Sequence, residues 1–261
     1  MMSTPGGTVT FWRGRTSSWC VVIPVLNEGE RLLSLLGRMG KIGVAERADV
    51  IVVDGGSTDG STEASRLEGL GVRGLLLKAS AGRLGTQLRI GYAAALAEGY
   101  DGVVTIDGND KDDPEAIFSM IALLSEGIDF VQASRFAPGG HAENTPMLRH
   151  VAIRWIHAPL LRWSSGFPWT DTTQGFRGYS RRLLLDSRVA PFRDVFQGYE
   201  LLAYLSYRAP RCGFRCAQVP SRRIYPKGAV PTKITLVRGH LGLLWALLRA
   251  CVGGYNPPRD R

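Results

Sequence analysis

The chain has 261 residues, 44% hydrophobic and 21% charged, which is enough apolar material for one large domain or two small ones. That composition excludes whole-chain disorder, collagen-like repeats and coiled coil. Lys plus Arg total 32 against 23 for Asp plus Glu, and the net charge of +9 favours polyanionic partners: nucleic acid, anionic lipid headgroups or phosphorylated substrates. The four cysteines, Cys20, Cys212, Cys216 and Cys251, lack paired Cys-x-x-Cys blocks and are too few for a disulfide framework. They are expected as reduced core residues of a cytoplasmic protein. No apolar run reaches the roughly 20 residues of a spanning helix; the longest candidate, 241–248, is short and is followed by Arg249.

Residues 1–17, rich in Gly, Ser and Thr, read as a loose leader. Cys20-Val21-Val22-Ile23 is then a buried-strand run, with a helical pattern over 30–39. Val50-Ile51-Val52-Val53 predicts a second strand, with a helix opening at Ser57-Thr58. Leu75-Leu76-Leu77 is a third, before a helix over 86–98. Val103-Val104-Thr105-Ile106 is a fourth, and the next helix starts after Asp113-Pro114, with Asp113 as its cap. Phe130-Val131 sits in a fifth strand. Continuous β-branched runs alternating with helices predict an α/β fold, a mostly parallel sheet covered by helices on both faces.

The second half is less regular. A helix is expected over 146–158, with Leu148, Val151, Ala152, Trp155 and Ile156 on one face and His150, Arg154 and His157 on the other, ended or kinked by Pro159. A helix over 200–208, a strand over 214–219 and an apolar helix after Lys233 follow. Packing in the core is the expected use of both apolar stripes, on 146–158 and around Leu241, Leu244, Trp245 and Leu248. A bilayer interface with basic flanks is the alternative. The organisation predicted is a leader over 1–17, one domain over 18–225, and a basic, amphipathic extension over 226–261 packed on that domain.

Parallel sheets bind ligands beyond the carboxyl ends of their strands. At the second strand's end lies Asp54-Gly55-Gly56-Ser57-Thr58-Asp59-Gly60, a tight turn whose carboxylate can meet a nucleobase or ribose, although an ordinary turn would use the same residues. At the fourth lies Asp107-Gly108-Asn109-Asp110-Lys111-Asp112-Asp113. Four carboxylates in seven positions repel one another, and a divalent cation or a basic partner relieves that cost. Asp107 and Asn109 offer oxygens suited to Mg²⁺ or Mn²⁺ on a diphosphate. Arg135, Arg149, Arg177, Arg222, Arg223, Lys227 and Lys233 are the basic residues expected near the same end of the sheet.

Taken in order, Val22-Ile23-Pro24-Val25-Leu26-Asn27-Glu28, Val52 to Gly60, Leu84-Gly85-Thr86, Thr105-Ile106-Asp107-Gly108-Asn109, Ala133-Ser134-Arg135-Phe136 and Thr170 to Arg177 resemble family 2 glycosyltransferases. The series looks most like their polyprenyl-phosphate branch, the dolichol-phosphate mannosyltransferase-like enzymes. The resemblance implies a GT-A (Rossmann-like) fold and inverting transfer from a nucleotide-sugar donor to a phosphate or hydroxyl acceptor: a polyprenyl phosphate, a saccharide or a secondary metabolite. It implies no nucleic-acid partner, and a place in the cytoplasm or peripherally at the inner membrane surface. Carried over by motif, Pro24, Glu28, Asp54 and Asp107 line the nucleotide pocket, and Asp107 and Asn109 hold Mg²⁺ or Mn²⁺. Arg135, Asp171 and Arg177 form the catalytic group, with Asp171 the candidate base for a hydroxyl acceptor and a turn residue on the alternative view. Arg149 and Lys233 are expected at the acceptor. A sugar nucleotidyltransferase, or a non-catalytic membrane-surface module derived from a transferase, are the competing readings.

Three positions depart from the family pattern. Gly55 replaces a second Asp, Asn109 replaces the second carboxylate of Asp-x-Asp, and Lys111 stands where a glutamine metal ligand is usual. An amide and a nearby cation weaken metal binding unless Asp110 or Asp112 compensates, or Lys111 itself supplies positive charge.

Overall fold

The computed structural model describes residues 6–226 and 238–258. Its strands are β1 Gly7–Trp12, β2 Trp19–Val25, β3 Asp49–Asp54, β4 Val72–Lys78, β5 Gly102–Thr105, β6 Phe130–Ser134, β7 His141–Glu143, β8 Arg177–Ser180, β9 Cys216–Pro220 and β10 Arg222–Ile224. Its α-helices are α1 Glu30–Lys41, α2 Ala64–Gly69, α3 Leu84–Ala97, α4 Ala116–Ser125, α5 Met147–Ala152, α6 Ala158–Ser165, α7 Arg181–Leu185, α8 Glu200–Arg211 and α9 Arg238–Cys251. Among the described residues one sheet runs β1-β4-β3-β2-β5-β8-β6-β9, and β7 pairs with β10 in a separate two-stranded ribbon. β2 to β5 pair in parallel, as do β6 and β9, while β1 and β8 run antiparallel to their neighbours. This is the expected α/β architecture.

Alternation along each strand explains why the runs are continuously apolar. Val21, Ile23 and Val25 point into one core with Leu32, Leu35 and Ile117 from α1 and α4. Cys20 and Val22 point into the other, with Leu88, Leu205 and Leu247 from α3, α8 and α9. Both faces of the central strands are covered, so a buried polar group there is costly without a partner.

Several expectations need correction. The stretch read as a leader supplies β1, an edge strand antiparallel to β4, because Phe11 and Trp12 carry apolar surface that packs on the two cores. No helix opens at Ser57-Thr58; α2 begins only at Ala64, because the Asp54 carboxylate accepts the N–H groups of Gly56 and Ser57 and holds a loop there. Asp113 does not cap α4 directly: it forms a turn with Pro114 and Glu115, and the helix starts at Ala116. β8 falls in a stretch with no strand prediction. Pro159 does not end its helix. One π turn, Ile153–His157, joins α5 to α6, and a π turn accommodates the missing N–H and the bulk of the ring.

The largest correction concerns the apolar stripe of 146–158, which lies outside the core. Leu148 is 76% exposed and Trp155 75%, with Val151 and Ile156 also exposed, while Arg149, His150 and His157 are half-buried. Only Ile153 and Ala158 of this stretch are buried. α9 is divided: Ala246, Leu247 and Ala250 pack inward, and Leu241, Trp245 and Leu248 face out. No described helix is long and apolar enough to cross a membrane.

Gly91 on α3 tests the tightness of the sheet–helix contact. A Cβ there would lie 2.5 Å from Val22 Cγ1 and 3.0 Å from Val53 Cγ2, both on χ1-restricted side chains. Overpacking of about 1–3 kcal/mol exceeds the roughly 0.5–1 kcal/mol of helix propensity that alanine returns. Gly91→Ala should therefore lower stability by about 1–2 kcal/mol in urea denaturation.

Candidate active site

The strand order reverses around β2, which has β3 and β4 on one side and β5 on the other. Such a switch point opens a crevice at the carboxyl ends of the strands. Pro24 is buried in β2, and Glu28 follows it, ion-paired to Arg31 at 2.8 Å. Asp54 ends β3. Its Oδ1 accepts from Ser57 N at 2.8 Å and Ser57 Oγ at 2.7 Å, and its Oδ2 from Thr62 Oγ1 at 2.9 Å. This carboxylate therefore builds its loop as well as bordering the crevice. The neighbouring Gly55 has a reason: a Cβ would stand 3.1 Å from the Gln87 amide nitrogen, which bridges the carbonyls of Val25 and Val53.

Asp107 stands just beyond β5 with its side chain 22% exposed and 3.5 Å from the Arg223 guanidinium. Gly175 makes the approach possible, since a Cβ there would lie 2.3 Å from Asp107 Oδ1. The rest of the acidic run is neutralised within the protein. Asp110 accepts from Arg38 at 2.8 Å and Ser34 at 2.6 Å, Asp113 pairs with Arg38 at 3.3 Å, and buried Asp112 pairs with Arg223. Asn109 Oδ1 accepts the Lys111 N–H at 3.2 Å. Among the described residues no group of three or more His, Cys, Asp or Glu side chains gathers to hold a metal. Residues 227–237 contain none of these four types. Asp110 and Asp112 do not compensate for Asn109, so the donor set at Asp107 and Asn109 is weaker than a pair of carboxylates.

Two members of the expected catalytic group have other work. Asp171 is fully buried, and its carboxylate accepts from Arg135 Nε at 2.7 Å, Gln174 at 3.0 Å and Thr173 at 3.1 Å. Engaged in this way, the carboxylate orients Arg135. Arg177 is also fully buried and donates to the carbonyls of Thr172 and Leu202 at 2.6 Å and of Gln174 at 2.8 Å. It fastens the 172–174 loop to α8.

Arg135 is as buried as Asp171, with its side chain 1% exposed. Ser134 ends β6, and its Oγ accepts the N–H groups of Phe136 and Ala137, turning the chain so that Arg135 points inward. It meets a residue the sequence reading missed, Tyr225. Three guanidiniums converge on the Tyr225 hydroxyl: Arg149 at 3.1 Å, Arg223 at 3.3 Å and Arg135 at 3.4 Å. Lys111 Nζ lies 5.2 Å from the centre of the ring. Burial alone would raise this phenol; Arg223, Arg135 and Arg149 outweigh it and bring it down to about 7. The signal was present: in the strand pattern Arg222-Arg223-Ile224-Tyr225, positions 223 and 225 share a face. Tyr199, before α8, is a second omission. Its phenol is raised by burial and then by the Asp107 charge, with Arg149, Arg83 and Glu28 also within electrostatic reach. Lys233 lies outside the described residues.

The family model for glycosyl transferase family 2 matches residues 20–187. The chain belongs to glycosyltransferase family 2. It is 31% identical over 204 residues to the undecaprenyl-phosphate mannosyltransferase of Micrococcus luteus, covering 76% of this chain and 80% of that one. It is 29% identical over 237 residues to the dolichyl-phosphate hexose transferase of Haloferax volcanii, covering 89% and 93%. Among solved structures, glucosyl-3-phosphoglycerate synthase from Mycobacterium tuberculosis, in complex with Mn²⁺, UDP and phosphoglyceric acid, matches with a TM-score of 0.57 at 20% identity, covering 92% of this chain and 80% of that one. Mannosyl-3-phosphoglycerate synthase from Rubrobacter xylanophilus matches with a TM-score of 0.61 at 16% identity, covering 89% and 72%. The glycosyltransferase therefore has the GT-A fold and performs inverting transfer from a nucleoside-diphosphate sugar, which displaces the nucleotidyltransferase reading.

The lowered phenol makes a direct prediction. Phenolate absorbance in the near ultraviolet should rise with a midpoint at about pH 7 and vanish in Tyr225→Phe. Because the folded value lies below the unfolded value of about 10, wild type should gain stability over Tyr225→Phe as pH rises from about 7 towards 10, and lose that margin below about 7.

Proposed function

We propose that this glycosyltransferase moves a sugar from a nucleoside-diphosphate donor to the phosphate of a polyprenyl lipid, working peripherally at the inner membrane surface. The observation that carries this reading is the double use of one helix, α5. Its inner side brings Arg149 to the Tyr225 hydroxyl, beside Arg135 and Arg223, and its outer side exposes Met147, Leu148 and Val151. Trp155 and Trp163, 75% and 87% exposed, extend that surface, and Arg154 and Arg162 flank it. An amphipathic surface of this kind suits a bilayer interface with anionic headgroups. Both named relatives above carry a polyprenyl phosphate in their names.

In this reading Pro24, Glu28 and Asp54 line the nucleotide pocket and Asp107 borders the sugar diphosphate. Arg135 and Arg149 meet the acceptor phosphate. One phosphate oxygen of the acceptor attacks the anomeric carbon opposite the diphosphate. The bond from that carbon to the diphosphate oxygen breaks, and its electron pair leaves with the nucleoside diphosphate. The acceptor is already an anion, so no general base is required, which agrees with the locked position of Asp171. No step is assigned to Mg²⁺ or Mn²⁺.

With a panel of sugar nucleotides, a polyprenyl phosphate should be glycosylated and the free polyprenol should not; product from the alcohol, or none from any pair, would contradict the reading. Replacing Arg135 by Ala should lower kcat by about 10²–10³-fold, the usual cost of removing one charge-stabilising donor. In flotation assays the wild type should bind vesicles containing anionic lipid, and Trp155→Glu with Trp163→Glu should weaken binding by about tenfold or more while nucleotide affinity holds.

A further inference from the structure

Resting on the transferase reading above, we propose that Lys111 and Arg223 themselves supply the positive charge at the donor diphosphate, so that this chain binds a nucleoside diphosphate without a divalent ion. The argument begins with the acidic run after β5. Asp110 and Asp113 are taken by Arg38 and Asp112 by Arg223, and Asn109 accepts a backbone N–H. Next to Asp107 stand two cations, Lys111 and an Arg223 guanidinium shared with Asp112. The Arg223 guanidinium lies 3.5 Å from that carboxylate, and the ribbon formed by β7 and β10 holds it in place.

Lys111 is anchored by the same ribbon. Its carbonyl accepts the Ile224 N–H at 2.8 Å, and its ammonium lies over the Tyr225 ring. Among the described residues no carboxylate lies within ion-pair distance of it, although the Asp107 charge acts on it. A half-buried ammonium and a buried guanidinium at one strand end, beside Asp107, make a site for polyphosphate rather than for a metal. When the bond from the anomeric carbon to the diphosphate oxygen breaks, both electrons pass to the diphosphate. The charge that appears there faces Lys111 and Arg223, which need no reorganisation to meet it. The change from an amide to lysine at 111 and from a carboxylate to an amide at 109 then forms one coherent exchange: one ligating oxygen and one negative charge are lost as one fixed cation is gained.

The test is calorimetric binding of UDP and GDP to the full-length protein, in chelator and in Mn²⁺. The better-bound nucleotide should keep its affinity within about threefold between the two buffers. Asn109→Asp combined with Lys111→Gln should weaken it by about tenfold or more in chelator, with recovery in Mn²⁺. Wild-type binding in Mn²⁺ alone would overturn this inference and leave the transferase reading standing. Equal binding by the variant in chelator would also overturn it. Binding of neither nucleotide in either buffer would overturn both readings. Circular dichroism melting verifies that the variant is folded, and the wild-type comparison decides the matter even where it is not.

Discussion

The ion pair between Asp112 and Arg223 joins two parts of the chain more than a hundred residues apart. Both side chains are buried, so each would be costly without the other; breaking such a pair by removing one partner costs about 3–5 kcal/mol. Backbone hydrogen bonds reinforce it on either side, from Asp113 N to the Arg222 carbonyl and from Ile224 N to the Lys111 carbonyl. The turn after β5 is thereby clamped to β10. That clamp sets the position of Lys111, Arg223 and Tyr225 relative to Asp107, and through Tyr225 it reaches Arg135 and Arg149. Asp171 plays the matching part on the other side of the crevice, holding Arg135. The site is a cluster of cations that buried carboxylates orient and only partly neutralise.

This arrangement accounts for the unusual helix pair α5 and α6. In a water-soluble helix the apolar side turns inward. Here the inward side of α5 has a charged task, delivering Arg149, and the apolar side is left outside. A surface that leaves Leu148, Trp155 and Trp163 outside costs solubility unless something covers it. An enzyme whose acceptor carries its phosphate on a lipid has a use for both sides of such a helix. The π turn between α5 and α6 keeps the helix continuous across Pro159, so that the reactive end and the apolar surface stay mechanically connected.

Much of this was legible in the sequence, and the limits have physical causes. The strands β2, β3 and β5 announce themselves because both sheet faces are covered, which demands unbroken apolar runs. Asp107 could be singled out because a lone carboxylate at such a strand's end has no structural use there. Local pattern failed where a side chain's role is decided by a distant partner. Asp171 and Arg177 look like catalytic residues in a list of motifs, but they are held by Arg135 and by backbone carbonyls of the 172–174 loop and of Leu202 on α8. Arg223 and Tyr225 are two among many basic and aromatic residues until β10 folds back onto the turn after β5. The helix over 146–158 shows its amphipathic period plainly, yet the period cannot say which face meets the core.

The most direct measurement is a crystal structure of the protein with UDP or GDP bound. The account predicts diphosphate oxygens within hydrogen-bonding distance of the Arg223 guanidinium and the Lys111 ammonium, at the ends of β2 and β5 and beside Asp107. A nucleotide seated away from those strand ends, with Arg223 still turned to its two carboxylates, would contradict it.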